Sequence, residues 1–71
     1  MTLCERLKPF SMDKFEITAE VFKEPDNRFI FVMRDINGNV ITAMIYDTTN
    51  REEAQTGFRK DVKDWFEKYP K

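Results

Sequence analysis

The sequence predicts an α+β fold in which a three-stranded antiparallel sheet is followed by one C-terminal helix. Three observations indicate this class. Apolar and polar residues alternate with a period of two in the first half of the chain, Asn37-Gly38 is a strong hairpin signal, and apolar residues recur at helical spacing near the end. The chain has only 71 residues, so we expect a single βββα domain over 13–71.

Residues 1–12 show no clear strand pattern. Leu3, Leu7 and Phe10 lie at positions i, i+4 and i+7, and Pro9 interrupts the segment. This spacing predicts an N-terminal tail or a short apolar turn.

The first predicted strand begins after Lys14. Four of its apolar residues alternate with polar ones: Phe15, Ile17, Ala19 and Val21. Pro25-Asp26-Asn27 supplies turn chemistry, and residues 28–34 are rich in β-forming side chains, which predicts the second strand.

Asn37-Gly38 predicts a type I′ turn of two residues, followed by a third strand over 40–46. A loop of this length pairs Ile36 with Asn39. On one face of the sheet it then opposes Phe29 to Tyr46, Phe31 to Met44 and Met33 to Thr42. On the other face it opposes Ile30 to Ile45, Val32 to Ala43 and Arg34 to Ile41. A three-residue loop with a bulge would change this register.

The last segment predicts a helix that begins near Thr48, Thr49 or Asn50, each of which is a good N-cap residue. Capping boxes are possible between Thr49 and Glu52 or between Asn50 and Glu53. The apolar residues that recur at helical spacing are Ala54, Phe58, Val62, Trp65 or Phe66, and Tyr69, and Pro70 is expected to end the helix.

Both faces of the predicted sheet are apolar, whereas one helix covers only one of them. An apolar face left uncovered is typical of an interface. The second face could be covered by the N-terminal segment, by a second copy of the chain or by another protein. We expect a homodimer whose interface includes six residues: Ile30, Val32, Ile41, Ala43, Ile45 and Gly57. Gly57 would allow another backbone to approach the helix closely, or it is simply tolerated there.

These residues resemble the repeat of the YegP-like bacterial proteins. The resemblance covers about Phe15 to Val62 and rests on Asp26-Asn27, Phe29-x-Phe31, Asn37-Gly38, Tyr46 and Gly57-Phe58. The chain departs from the pattern at Ala43-Met44-Ile45, where the repeats have a serine. The resemblance implies a three-strand-plus-helix unit that joins a second copy in a larger sheet with the C-terminal helices exchanged. It implies no biochemical activity.

Composition excludes several chemistries. The chain has no histidine and one cysteine, so it lacks the residues of a zinc finger, a disulfide framework or a histidine-activated nucleophile. Carboxylate pairs such as Glu16 with Glu20 and Asp61 with Asp64 are interleaved with Lys and Arg, which is typical of a solvated surface. We therefore predict a non-catalytic binding or structural module with no cofactor and no metal.

Two other functions are compatible with the pattern. Small βββα domains of some integrases bind DNA through strand residues, and Lys14, Lys23, Arg28 and Arg34 would be the contacts here. A net charge of −1 disfavours this interpretation, because phosphate contacts need a concentrated basic surface. The second is a small phage-type inhibitor of a host protein. A lone cysteine and the absence of a long apolar run favour a cytoplasmic location without membrane contact.

Overall fold

The computed structural model describes residues 1–12 and 14–68. It has an α+β architecture in which five antiparallel strands are followed by one C-terminal helix. The elements are β1 (Thr2–Arg6), β2 (Phe10–Met12), β3 (Phe15–Lys23), β4 (Phe29–Arg34), β5 (Val40–Tyr46) and α1 (Arg51–Lys68). The strand order is β1-β3-β4-β5, and β2 pairs with the beginning of β3.

The predicted number of strands is wrong because the N-terminal residues form strands rather than a tail. β1 pairs with the second half of β3, with a bulge between Leu3 and Glu5, and Phe10 of β2 pairs with Ile17. Between the two strands, the Leu7 amide donates a hydrogen bond to the Ala19 carbonyl, 2.9 Å away. The N-terminal segment is therefore an interrupted edge strand along β3.

The two hairpins that join β3, β4 and β5 have loops of the same kind. The Asn27 amide donates to the Glu24 carbonyl at 2.9 Å, and the Gly38 amide donates to the Asp35 carbonyl at 3.0 Å. Asn27 has φ 69° and Gly38 has φ 84°, so each loop ends on a residue in the left-handed region. This is the three-residue hairpin loop that closes with a left-handed bulge residue.

The Asn37-Gly38 loop thus differs from the two-residue turn predicted from the sequence. Asp35, not Ile36, pairs with Asn39, and Arg34 pairs with Val40 instead of Ile41. A bulge in β5 then leaves Ile41 without a cross-strand partner, so that Met33 pairs with Thr42. The two irregularities cancel.

From Met33 outward the predicted register is therefore confirmed. The pairs are Phe29 with Tyr46, Ile30 with Ile45, Phe31 with Met44, Val32 with Ala43, and Met33 with Thr42.

The core lies between α1 and one face of the sheet. Ala54, Phe58 and Val62 of the helix are buried against alternating residues of the two central strands. These strand residues are Ile17, Ala19 and Val21 of β3 and Phe29, Phe31 and Met33 of β4. The alternation that the sequence shows in β3 is thus the alternation of a sheet with one face under a helix.

The helix begins after Asn50, whose side-chain oxygen accepts a hydrogen bond from the Glu53 amide at 3.1 Å. Asn50 is therefore the N-cap, and Glu52 and Glu53 lie in the first turn, where negative charge is favourable. The expected roles of Tyr69 and Pro70 lie outside the described residues. In the part of the chain that is described, no helix has both the length and the apolar character needed to cross a bilayer.

The loop geometry predicts a difference between two neighbouring substitutions. Gly38→Ala should lower the free energy of unfolding by about 1–2 kcal/mol, because Ala is strained at positive φ. No atom outside the immediate neighbours lies within 4 Å of a Cβ at this position, so the cost is conformational. Asn37→Ala should cost less than about 0.5 kcal/mol, because Asn37 has an ordinary φ. Urea unfolding of both variants measures the difference, and equal losses would instead indicate the two-residue type I′ turn.

Candidate functional site

None of the described residues forms a helix on the sheet face opposite α1, and we call this face the open face. Side chains alternate between the two faces of a strand, so the strand register assigns residues to it. Three rows cross the sheet: Leu3, Phe22, Ile30 and Ile45; Arg6, Glu20, Val32 and Ala43; and Thr18, Arg34 and Val40.

The first row, which we call the apolar row, contains an apolar side chain from each of β1, β3, β4 and β5. Ile30 at its centre is only 9 % exposed and does not belong to the core cluster under the helix. The row ends in Leu3, which is 39 % exposed, and in Ile45, which is 65 % exposed. Val40 adds a further apolar side chain with 55 % exposure at the corner of the face. The open face thus presents a band of hydrocarbon across the width of the sheet.

Charge on the open face is concentrated in one ion-pair network. The Glu20 carboxylate accepts hydrogen bonds from Nε of Arg34 at 2.8 Å and from Nε of Arg6 at 3.3 Å. The Arg34 hydrogen bond is the main reason why the pKa of Glu20 is lowered, and the Arg6 hydrogen bond lowers it further against the opposing effect of desolvation. The three charges lie in β1, β3 and β4, so the network also links these strands.

The structure brings together four of the six residues predicted for the interface. Ile30, Val32, Ala43 and Ile45 share the open face. Ile41 does not, because the β5 bulge removes it from the alternation and it packs against the core cluster.

Gly57 lies on the side of α1 that faces β5 instead of at a free surface. A Cβ at this position would be 3.1 Å from Cε1 of Tyr46, so the close approach that glycine allows is made by a ring of the same chain. The helix exchange that the resemblance implies is not part of this structure, in which α1 covers its own sheet.

Sequence reasoning missed Leu3, Phe22 and Val40. Phe22 could have been found, because it lies opposite Ile30 once the length of the first hairpin loop is known. Val40 is assigned to the open face only by the bulge in β5. Leu3 had no signal, since nothing in its local pattern indicates a strand.

The four residues predicted for nucleic-acid contact do not form one basic surface. Arg34 is bonded to Glu20, and Arg28 lies 2.6 Å from the Asp26 carboxylate and 3.7 Å from that of Asp47. Lys23 pairs with Phe29 and lies on the helix side of the sheet, away from Arg34. Lys14 is exposed in the turn before β3.

On the helix side a half-buried polar contact joins β5 to α1. The Tyr46 hydroxyl donates a 2.7 Å hydrogen bond to Oδ2 of Asp61. Desolvation of the phenol, and after it this hydrogen bond and the Asp61 charge, raise the pKa of Tyr46 above its usual value of about 10. The contact fixes the helix to the edge strand β5, and the Asp61 carboxylate is already hydrogen-bonded through it.

No metal centre is formed by the residues that the structure describes: they contain no group of three or more Cys, Asp or Glu side chains that could hold an ion. Cys4 is exposed on β1, and its thiol lies 3.7 Å from the Thr2 carbonyl.

A scan of protein-family models finds no match to the chain, and searches of curated proteins and of solved structures find none either. The resemblance to the YegP-like repeat therefore stays a prediction.

The Tyr46–Asp61 contact predicts a pH dependence. At pH 8 wild type should be more stable than Tyr46→Phe by about 1–2 kcal/mol, since the variant lacks a hydrogen bond to a carboxylate. The pKa of Tyr46 is higher in the folded than in the unfolded chain, so this contribution is complete below pH 10 and is lost as the pH rises further. By pH 11 the advantage of wild type should shrink by up to about 1.4 kcal/mol.

Urea unfolding of both proteins at pH 8 and pH 11 measures the effect. The comparison with Tyr46→Phe removes the contributions of the lysines, which titrate in the same range in both proteins. An advantage that is unchanged at pH 11 would show that Tyr46 ionises equally in the two states and would contradict the contact.

Proposed function

We propose that this chain is a non-catalytic binding or structural module that acts as a homodimer, with the open faces of two copies packed against each other. The apolar row carries the proposal. It places Leu3 and Ile45 in solvent at 39 % and 65 % exposure, on either side of the half-buried Phe22 and the buried Ile30. A continuous apolar band of this kind typically marks an interaction surface.

The size of the chain supports a partner. A domain of about this length buries only about 60 % of the surface of its unfolded chain, and it is correspondingly marginal. In this fold the helix buries one sheet face, whereas the second face buries Ile30 and leaves both ends of the apolar row in water. Packing two such faces at a distance of about 10 Å, as in a β-sandwich, would remove the apolar row of both copies from water.

Pairing through the β5 edge, which would extend the sheet as the resemblance implies, is the other geometry open to a second copy. It would satisfy the outer backbone groups of β5, which contains no charged residue and no proline to protect it. Water can satisfy those groups equally well, whereas it cannot compensate for an exposed apolar row. We therefore favour packing of the open faces over pairing of the edges.

The charged network is compatible with this arrangement. The network of Arg6, Glu20 and Arg34 has a net charge of +1 and lies beside the apolar row. A two-fold axis through the apolar row would leave both networks at the rim, where charged groups remain hydrated.

The dimer is tested with two substitutions of the same type. Ile45→Glu places a charge on the open face and should give a monomer, whereas wild type should have the mass of two chains at about 50 µM by sedimentation equilibrium. Ile36→Glu is the matched control, because Ile36 is 74 % exposed at the tip of the β4–β5 hairpin, away from the face. It should stay dimeric.

Thermal unfolding of both variants provides a check on folding, since neither side chain belongs to the core cluster. A monomeric wild type, or a dimer that Ile45→Glu leaves intact, would contradict the proposed interface. A persistent dimer would favour the β5 edge, where a side chain perpendicular to the sheet has little influence on backbone pairing.

A further inference from the structure

A second surface lies on the opposite side of the sheet, between the N-terminal strands and α1. It is a groove of about 770 Å³. Its apolar floor is formed by Leu7 and Phe10 on the strand side and by Phe58 and Val62 on the helix side. Leu7 and Phe10 are only half-buried, although both pack against the core cluster. The groove therefore continues the hydrophobic core to the surface.

The groove exists because one helix is too narrow for this sheet. Strands are about 4.8 Å apart and a helix with its side chains is about 10 Å wide, so a helix covers about two strands. In this fold the apolar side of α1 contacts the residues of β3 and β4, and the β1–β2 edge is left beside it. The uncovered strip has the apolar floor that a second helix would need.

Both rims of the groove carry positive charge. Lys8 lies on the strand side, and Arg59 and Lys63 lie one turn apart on α1. Among the described residues none of these three cations has an ion-pair partner within 4 Å. The one acid of the rim, Glu5, is bonded to Arg51 at 2.5 Å. A protein with a net charge of −1 thus concentrates unpaired positive charge around this apolar groove.

We propose that this groove binds an amphipathic helix of a partner protein whose apolar stripe is flanked by acidic residues on both sides. The apolar stripe would pack on the floor, as in other helix-in-groove complexes. Acidic residues on the two flanks would pair with Lys8 on one rim and with Arg59 and Lys63 on the other. This proposal concerns a different face from the dimer interface and does not depend on it.

The charge distribution favours a helix over the other ligands that fit an apolar groove. A fatty acid has one negative charge at one end, whereas the cations here lie on two opposite rims. A second copy of the described chain is also a poor match, because its only described helix has as many basic as acidic residues. The apolar side of that helix is already buried on its own sheet.

The probe is an 18-residue fluorescein-labelled peptide with Leu at i, i+3, i+4 and i+7 and Glu on both flanks of this stripe. The comparison peptide has Lys in place of Glu. Fluorescence anisotropy at about 0.1 M salt should give micromolar binding of the Glu peptide and binding of the Lys peptide that is at least about tenfold weaker.

The variant Arg59→Glu/Lys63→Glu reverses one rim. It should weaken binding of the Glu peptide about tenfold and strengthen binding of the Lys peptide, a gain that misfolding could not produce. Lys60→Glu/Lys68→Glu is the matched control, since it makes the same charge change at exposed positions of the same helix outside the groove. Ile45→Glu should also bind the Glu peptide like wild type, because it alters only the open face.

Several results would overturn the proposal. One is equal binding of both peptides, and another is loss of Glu-peptide binding in the Lys60→Glu/Lys68→Glu control. Palmitate, or vesicles of phosphatidylglycerol and phosphatidylcholine, should bind no better to wild type than to the reversed variant. If palmitate or the vesicles bind wild type more tightly than the Arg59→Glu/Lys63→Glu variant, and the Glu peptide does not, the groove is a lipid site.

Discussion

The packing of Phe31 determines how the helix lies on the sheet. Phe31 is fully buried at the centre of β4, and its ring stacks on Phe58 of α1 with 4.4 Å between the centroids. The Tyr46 ring meets it edge-on at 5.6 Å, and the Arg51 guanidinium carbon lies 5.9 Å from its centroid. Aromatic contacts of this kind have defined geometry. Phe31 therefore orients the helix through contacts with its first turn and with its middle, and it also packs against Tyr46 of the edge strand β5.

This position of the helix over Phe31 explains why two surfaces stay uncovered. A helix held over Phe31 buries the middle of one sheet face and leaves that face open toward β1 and β2. Gly57 brings the helix closer to Tyr46 and β5, which increases the asymmetry. The opposite face has no helix at all in the described chain. The open face and the groove thus both arise because a single helix packs on a sheet that is wider than the helix.

The sequence predicted the elements whose pattern is local. Alternation identified the core-facing residues of β3, the hairpin register grouped those of β4, and helical spacing identified Ala54, Phe58 and Val62. The four strand residues assigned together to the second face do share it. The register was right beyond Met33 for an incomplete reason, since the longer loop and the bulge at Ile41 shift the pairing in opposite directions. No residue in the sequence indicates the bulge at Ile41, and Asn37-Gly38 fits a two-residue turn as well as the three-residue loop that forms.

The N-terminal segment shows where local pattern fails. Leu3, Leu7 and Phe10 have helical spacing, and Pro9 interrupts the backbone, so propensity gives no indication of a strand. Pairing with β3 determines its structure, because β3 would otherwise expose its outer backbone groups as a sheet edge. Tertiary contacts thus override the local spacing, which is why no reading of residues 1–12 alone could have placed them.

Both proposed surfaces depend on this same segment. Its strand β1 contributes Leu3 to the apolar row on the open face, and the residues after β1 supply Leu7 and Phe10 to the floor of the groove. Lys8, between them, supplies the strand-side charge. An interrupted strand can serve both faces because its bulge and its break change the direction of successive side chains. The least regular part of the sequence is therefore the part that connects the two surfaces, and a core built from β3, β4, β5 and α1 alone would have neither in complete form.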